Sequence, residues 1–269
     1  MSAPTIKLSF GATLSESFEY FFRNFRLFFH LVTIPWILSI ALGLLGTMLD
    51  DKSPAILLIG KALDMLPTTM FIVAWMRAVL LGPAQAGPLP GLRWSTRETA
   101  FLIHLLKVAG VTFLLLGAFI MAVGTLDPVS MREAAADPEI ARRQALALPF
   151  GTSFIISALL ALRVSFGLAA SAVDVPFAPR QSWVYSRGNG WPIVGVLLLI
   201  FFSTSTTTIV TLEIAFDLAD VFGATLAAKI VAMTAAVFVT YVGAGIAATA
   251  QAIIFRKLTG WRDGASTMP

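Results

Sequence analysis

Residues able to do chemistry are few in this chain and widely spaced. It has no cysteine and two histidines, His30 and His104. Without cysteine there can be no disulfide framework, thiolate nucleophile or thiolate metal site. The histidines stand at the starts of two separate apolar runs, too far apart to hold a metal without carboxylate help. No metal or cofactor site is assigned to them. No G-x-S-x-G, H-E-x-x-H or Ser/His/Asp arrangement stands in the sequence, so no catalytic residue is assigned and the chain is read as non-enzymatic. One stretch invites a phosphate: "SWVYSRGNGWP", Ser182 to Pro192. A P-loop needs G-x-x-x-x-G-K-[ST] and a dinucleotide loop needs G-x-G-x-x-G after a strand; "RGNG" is neither. Gly188 is better suited to ending a short helix in the left-handed conformation. Asn189 and Gly190 then complete a turn, and Pro192 fits the first turn of the next helix. For Arg187 the expected contact is a lipid phosphate rather than a nucleotide.

The remaining candidates are charges set inside apolar runs. Lys61 and Asp64 lie three residues apart on one helix face, about 9 Å into an apolar run. They read either as a locally neutralised pair, with Lys61 reaching to the interface, or as part of a polar cavity beside Pro67. Residues 147–162 are uncharged, which sets Arg163 about 24 Å along its run at 1.5 Å per residue. It either reaches the headgroups or turns inward to hold Asp174 or a lipid phosphate. Arg77 and Lys107 occupy comparable depths. Together Arg77, Lys107, Arg163 and Arg187 would make a site for anionic lipid headgroups.

The elements that must position these residues follow from composition. Of 269 residues 57% are hydrophobic and only 13% charged, and mean hydropathy is +0.84. A soluble domain carries about a quarter of its residues charged, so lipid must solvate most of this surface. Runs of about 20 apolar residues number six: Phe28–Met48, Ala55–Leu81, His104–Leu126, Ala147–Ala172, Pro192–Leu212 and Ala227–Phe255. Pro67 predicts a kink or break in the second. Segments facing the N-terminal side carry 13 of the 19 Lys and Arg residues. This places both termini in the cytoplasm. The pI near 9.7 would suit nucleic acid, but the basic residues flank loops along the whole chain. They form a topology signal, and no nucleic-acid partner is expected.

Two further patterns concern helices outside the membrane core. In "TLSESFEYFFRNFRLFF", Thr13 and Glu16 have capping-box spacing. Leu14, Phe18, Phe21, Phe22, Phe25 and Phe29 then form one face, with Glu16, Glu19, Arg23 and Arg26 mostly opposite. The segment reads as an amphipathic helix in the cytoplasmic interface, or else as the first turns of a tilted span. "SFEYFFRN" (Ser17–Asn24) aligns without a gap on "SWVYSRGN" (Ser182–Asn189), and "LRWSTRETAF" is a weaker echo before the third run. The inferred repeat is an interfacial helix followed by a hairpin of two spans. In the fifth and sixth runs, "STSTTT" (Ser203–Thr208) and "GAGIAATA" (Gly243–Ala250) supply small and hydroxylated residues for close helix packing, and the two could face each other. The loop Asp127–Arg143, with mixed charges and two Asp-Pro steps, reads as solvated surface and a short external helix.

"LRVSFGLAASAVDVPFAPRQSWVYSRGNGWP" resembles a block of alphaproteobacterial-type inner-membrane proteins. In that block an Arg-containing span leads to a short loop, Ser-Trp, a Thr/Ser-Arg-Gly-Asn turn and a Trp. "AWMRAVLLG" followed by "RWSTRETAFL" resembles a second block, with Met76 standing where the pattern often has histidine. The group is similar to the glycerophosphodiester phosphodiesterase membrane domain and, more distantly, to YciC-like membrane proteins. The resemblance implies a membrane module without the hydrolase, whose active site belongs to a separate soluble domain. The whole chain, 1–269, thus reads as one all-α polytopic domain. Residues 1–27 carry the interfacial helix, 28–258 the six-span bundle and 259–269 a cytoplasmic tail. Its expected role is to engage membrane lipid or an intramembrane partner, a second copy included. The alternative is a small-solute transporter or channel using the polar region around Lys61 and Asp64.

Overall fold

The computed structural model describes residues 6–48, 54–86, 94–126, 157, 159–160, 162–165, 167–221 and 226–262, with residues 132 and 136 isolated between them. The external loop and the first half of the fourth run lie outside these residues. Among the described residues there are eight α-helices: α1 (Phe10–Arg23), α2 (Phe25–Met48), α3 (Pro54–Leu81), α4 (Thr96–Leu126), α5 (Gly167–Ala172), α6 (Pro179–Tyr185), α7 (Gly190–Val221) and α8 (Leu226–Thr259). A single 3-10 turn, Pro83–Ala86, follows α3. Five of the helices are long and apolar enough to cross a bilayer: Phe25–Leu45, Ala62–Leu81, Thr96–Ala118, Gly190–Ala215 and Ile230–Thr259. Their outward faces are apolar too. Ile37, Leu45, Phe113, Leu114, Met121, Phe202, Ile209 and Val231 are all exposed, a surface that hydrocarbon solvates and water does not. The chain is an all-α polytopic membrane protein.

α8 is the centre of the bundle, packed against α1, α2, α3, α5 and α7. Its small residues make that possible. A Cβ on Gly243 would fall 2.1 Å from Thr204 Oγ1, and one on Gly245 would fall 2.7 Å from Phe21 Cε2. The hydroxyl-rich segment of α7 and the small-residue segment of α8 therefore do face each other, in close backbone approach. Around Gly245 the core is aromatic. Phe21, Phe28, Phe71 and Trp75 are fully buried, with Phe21–Phe28 centroids 4.9 Å apart and Phe28–Phe71 5.6 Å apart, both edge-on. The buried Trp75 Nε1 donates to Thr249 Oγ1 on α8 at 2.8 Å, so this indole is paired within the core.

Four expectations are corrected. α1 starts earlier than Thr13 and Glu16 suggested: Ser9 is its N-cap and accepts from the Ala12 N–H at 3.4 Å. Thr13 is instead buried inside the helix, and the Glu16 carboxylate is committed to Arg256 and Lys257 on α8. The single phenylalanine face is divided. Thr13, Ser17 and Phe21 turn onto the bundle, while Phe18 and Phe22 remain exposed. The echo before the third run makes no separate helix, since Thr96 begins α4 itself. Ser95 precedes it, its N–H donating to Glu98 Oε2 at 2.8 Å. Pro67 does not break α3, which is helical throughout. Pro35, inside α2, was not singled out by the sequence.

Candidate functional site

The contacts gather the basic segments at one end of the bundle. Asn189 ties the chain's beginning to the α6–α7 junction: its Nδ2 donates to Ile6 O at 2.7 Å, and its Oδ1 accepts from Leu8 N–H at 2.8 Å. An amide side chain here pairs with main chain as another main-chain segment would. Glu16 then fixes α1 to the last turns of α8. The Tyr20 hydroxyl donates to Ala78 O near the end of α3 at 2.9 Å. Burial raises that hydroxyl above the ordinary phenol range, with Arg256 pulling the other way.

The loop after α5 is held to the same end by two arginines. Asp174 has φ 59°, the left-handed region that Asp tolerates better than most side chains. Its carboxylate accepts from Arg97 Nε at 3.0 and 2.9 Å and lies 3.8 Å from Arg77 Nη1. Arg77 Nη1 also donates to Ala172 O, the last residue of α5, at 3.1 Å. Cations at a helix C-terminus are favourable for the dipole and satisfy open carbonyls. Arg97, counted in the sequence only as an orientation charge, is thus the principal partner of Asp174, and Arg163 is not among its hydrogen-bond or ion-pair partners.

Arg163 goes to the α6–α7 junction instead. Its guanidinium carbon sits 3.8 Å above the Trp183 ring, and its Nε donates to Ser186 Oγ at 3.1 Å. Arg163, Gly188, Gly190, Trp191, Leu159 and Leu160 line a cavity of about 380 Å³. Gly188 has φ +79°, the turn for which glycine was assigned there, and Pro192 stands in the first turn of α7. Arg187 is exposed one residue before Gly188, and Trp191 is exposed beside it. The four cations therefore do not form one cluster. Arg163 lines the notch, Arg187 is exposed in the adjoining turn, Arg77 is engaged at the end of α5, and Lys107 is exposed on α4. Trp183 and Trp191 were the residues the charge-centred reading missed, although each lies within the quoted stretch.

Asp64 is partly buried on α3, and Lys61 lies on the preceding turn of that helix, its side chain outside the described residues. No neutralised pair between them can be described. Asp64 instead shares its level with Tyr241, Ser39 and Thr68, three residues the sequence did not flag. His30 is exposed on α2 and His104 is half-buried on α4. Compared with known proteins, the chain matches no family model, no curated protein and no solved structure.

Proposed function

We propose that the protein is a non-enzymatic module of a bacterial inner membrane that engages anionic lipid headgroups at its basic end, with both termini in the cytoplasm. The observation that carries this is Arg163, laid over Trp183 at a cavity whose other rim is Gly188, Gly190 and Trp191. The guanidinium is held by the Trp183 ring, by Ser186 Oγ and by the Trp183 carbonyl, to which Nη2 donates at 3.4 Å, and it carries further N–H donors that an anion could use. Exposed Trp183 and Trp191 suit the headgroup level, where one side of the indole is wet and the other apolar. Arg187, exposed one residue before Gly188, supplies a second cation in the adjoining turn. α1, with Phe18 and Phe22 exposed beside Arg23, would lie in that interface. Both the headgroup and the acyl chains of a lipid are met by this arrangement, which a soluble anion would use only in part. The membership suggested by the resemblance, a glycerophosphodiester phosphodiesterase membrane domain without its hydrolase, accords with such a role.

The test is mass spectrometry of lipids that remain bound after gentle purification. Arg163→Gln with Arg187→Gln should lower bound anionic lipid several-fold relative to zwitterionic lipid, since each charge-assisted contact contributes roughly 1 kcal/mol near the surface. Unchanged anionic lipid in a folded double variant refutes the assignment.

A further inference from the structure

Below the notch at the basic end, a cavity of about 510 Å³ lies between α7 and α8. That is inside the range of about 300–1,000 Å³ usual for small-ligand sites. Two stripes at the same helical spacing form its walls: Leu197, Thr204 and Thr208 on α7, and Thr240, Ala247 and Gln251 on α8. Carried two turns back, the α7 stripe reaches Gly190, which lines the notch. At 1.5 Å per residue, the cavity begins at Leu197, about 10 Å below Gly190, and ends at Thr208, about 27 Å below it. Measured from Thr259 on α8, Gln251 stands at about 12 Å and Thr240 at about 28 Å. These are depths of the hydrocarbon core, which is about 30 Å thick.

Notch and cavity also share a wall. Leu162 lines the cavity and Arg163 the notch. The Arg163 stem passes close over the first turn of α7, its Cδ 3.4 Å from where a Cβ on Gly190 would stand. From the notch downward the chemistry therefore changes in a fixed order. A cation comes first, at Arg163. Gln251 follows at the upper end of the cavity, with a carboxamide that donates as well as accepts. Leu162, Leu197 and Ile200 line the cavity with it. Further down, Thr240 Oγ1 already donates to Ala236 O at 3.0 Å and makes no demand on an occupant. An anionic lipid presents the matching order of phosphate, ester carbonyls and hydrocarbon.

We infer that the cavity between α7 and α8 receives one acyl chain of the lipid whose phosphate meets Arg163, with Gln251 on the side of its ester carbonyls. The inference rests on the lipid reading of the basic end and adds a seat for the chain to one for the headgroup.

The experiment uses the full-length protein in detergent and phosphatidylglycerol carrying a photoreactive diazirine near the end of one long acyl chain. Crosslinked peptides, read by mass spectrometry, should map to the cavity walls on α7 and α8. Ala247→Leu and Thr208→Leu fill the cavity from opposite walls and should each lower that adduct several-fold, as should Arg163→Gln. Dihexanoyl phosphatidylglycerol, with the same headgroup on short chains, separates the two readings. Its binding, followed by native mass spectrometry, should fall in Arg163→Gln and stay at the parental level in both filled variants. Adducts confined to other helices of the parent protein overturn the inference. So do filled variants of parental Tm that bind the long-chain probe as the parent does; loss of dihexanoyl binding in Arg163→Gln would then leave the headgroup site standing. No effect of Arg163→Gln on either probe removes the headgroup reading and the inference together. A neutral isoprenoid or quinone that co-purifies with the parent and is lost in Ala247→Leu would make the occupant another molecule, and overturns the inference as well.

Discussion

Gly243 is where the packing tolerance of single atoms is smallest. An added Cβ would meet Thr204 Oγ1, Cγ2 and Cβ at 2.1, 2.2 and 2.7 Å. Rotating Thr204 moves only the first two, so α7 and α8 must separate. Gly243→Ala should therefore destabilise by about 1–3 kcal/mol, the usual range for overpacking. Thr204→Ala in the same chain should recover only part, because its own Cβ stays in place. Tm of the two variants and their combination measures this. Asp174 makes the opposite case. Its side chain is 55% exposed, so Asp174→Asn, which keeps a residue at ease in the left-handed region, should cost less than about 1 kcal/mol although two arginine contacts go. A much larger loss of Tm would mean that the arginine pair contributes more than exposed ion pairs do.

Among the elements, the junctions of α1 with α2 and of α6 with α7 are built alike. Asn24 and Asn189 each follow a helix whose serine, Ser17 or Ser182, is fully buried. Each gives its carbonyl to the first turn of the next helix, to Phe28 N–H at 3.0 Å and to Ile193 N–H at 3.1 Å. Their side chains differ. Asn24 Nδ2 returns to Tyr20 O in its own helix at 2.9 Å, whereas Asn189 reaches the N-terminal segment. Asn189→Ala should thus leave two main-chain groups unpaired, at about 1–3 kcal/mol, and speed amide hydrogen exchange at Leu8. Asn24→Ala should leave exchange at Leu8 unchanged. Equal exchange at Leu8 in both variants would contradict this difference in role.

The same two junctions show how much could be read from the sequence. Ser, Tyr and Asn at a shared spacing disclosed a repeated helix-to-span transition, and Gly188 and Pro192 disclosed the turn, because local backbone chemistry decides those features. Apolar run length disclosed five of the six expected spans, because the hydrocarbon core sets it, while the first half of the fourth run lies outside the described residues. What stayed hidden was which cation meets which partner. Arg97 and Asp174 are 77 residues apart and Ser39 and Tyr241 are 202 apart; no periodicity links them. The N-cap of α1 was misplaced because Ser9 and Thr13 are both cap formers. Burial of Thr13 and the pairing of Glu16 with α8 decide between them, and those are tertiary effects.

At the scale of the whole molecule, the account rests on one asymmetry. α1 lies against the last turns of α8 through Glu16, Arg256 and Lys257, so the first and last described helices share one end of the bundle. The proposed function requires that end to face the cytoplasm, where the inner leaflet offers anionic headgroups to Arg163 and Arg187. The exposed cations Lys7, Arg23 and Arg26 would lie on the same side.

The absence of cysteine makes the decisive measurement direct. Single cysteines introduced at Ser2, at Thr225 between α7 and α8, and at Ser266 can each be probed with a membrane-impermeant maleimide in intact cells with a permeabilised outer envelope. Cytoplasmic termini predict labelling at position 225 alone, with positions 2 and 266 reacting only after the inner membrane is opened. Labelling of one terminus but not the other in intact cells would contradict the bundle itself, and labelling of both would contradict its orientation and the lipid-headgroup role built on it.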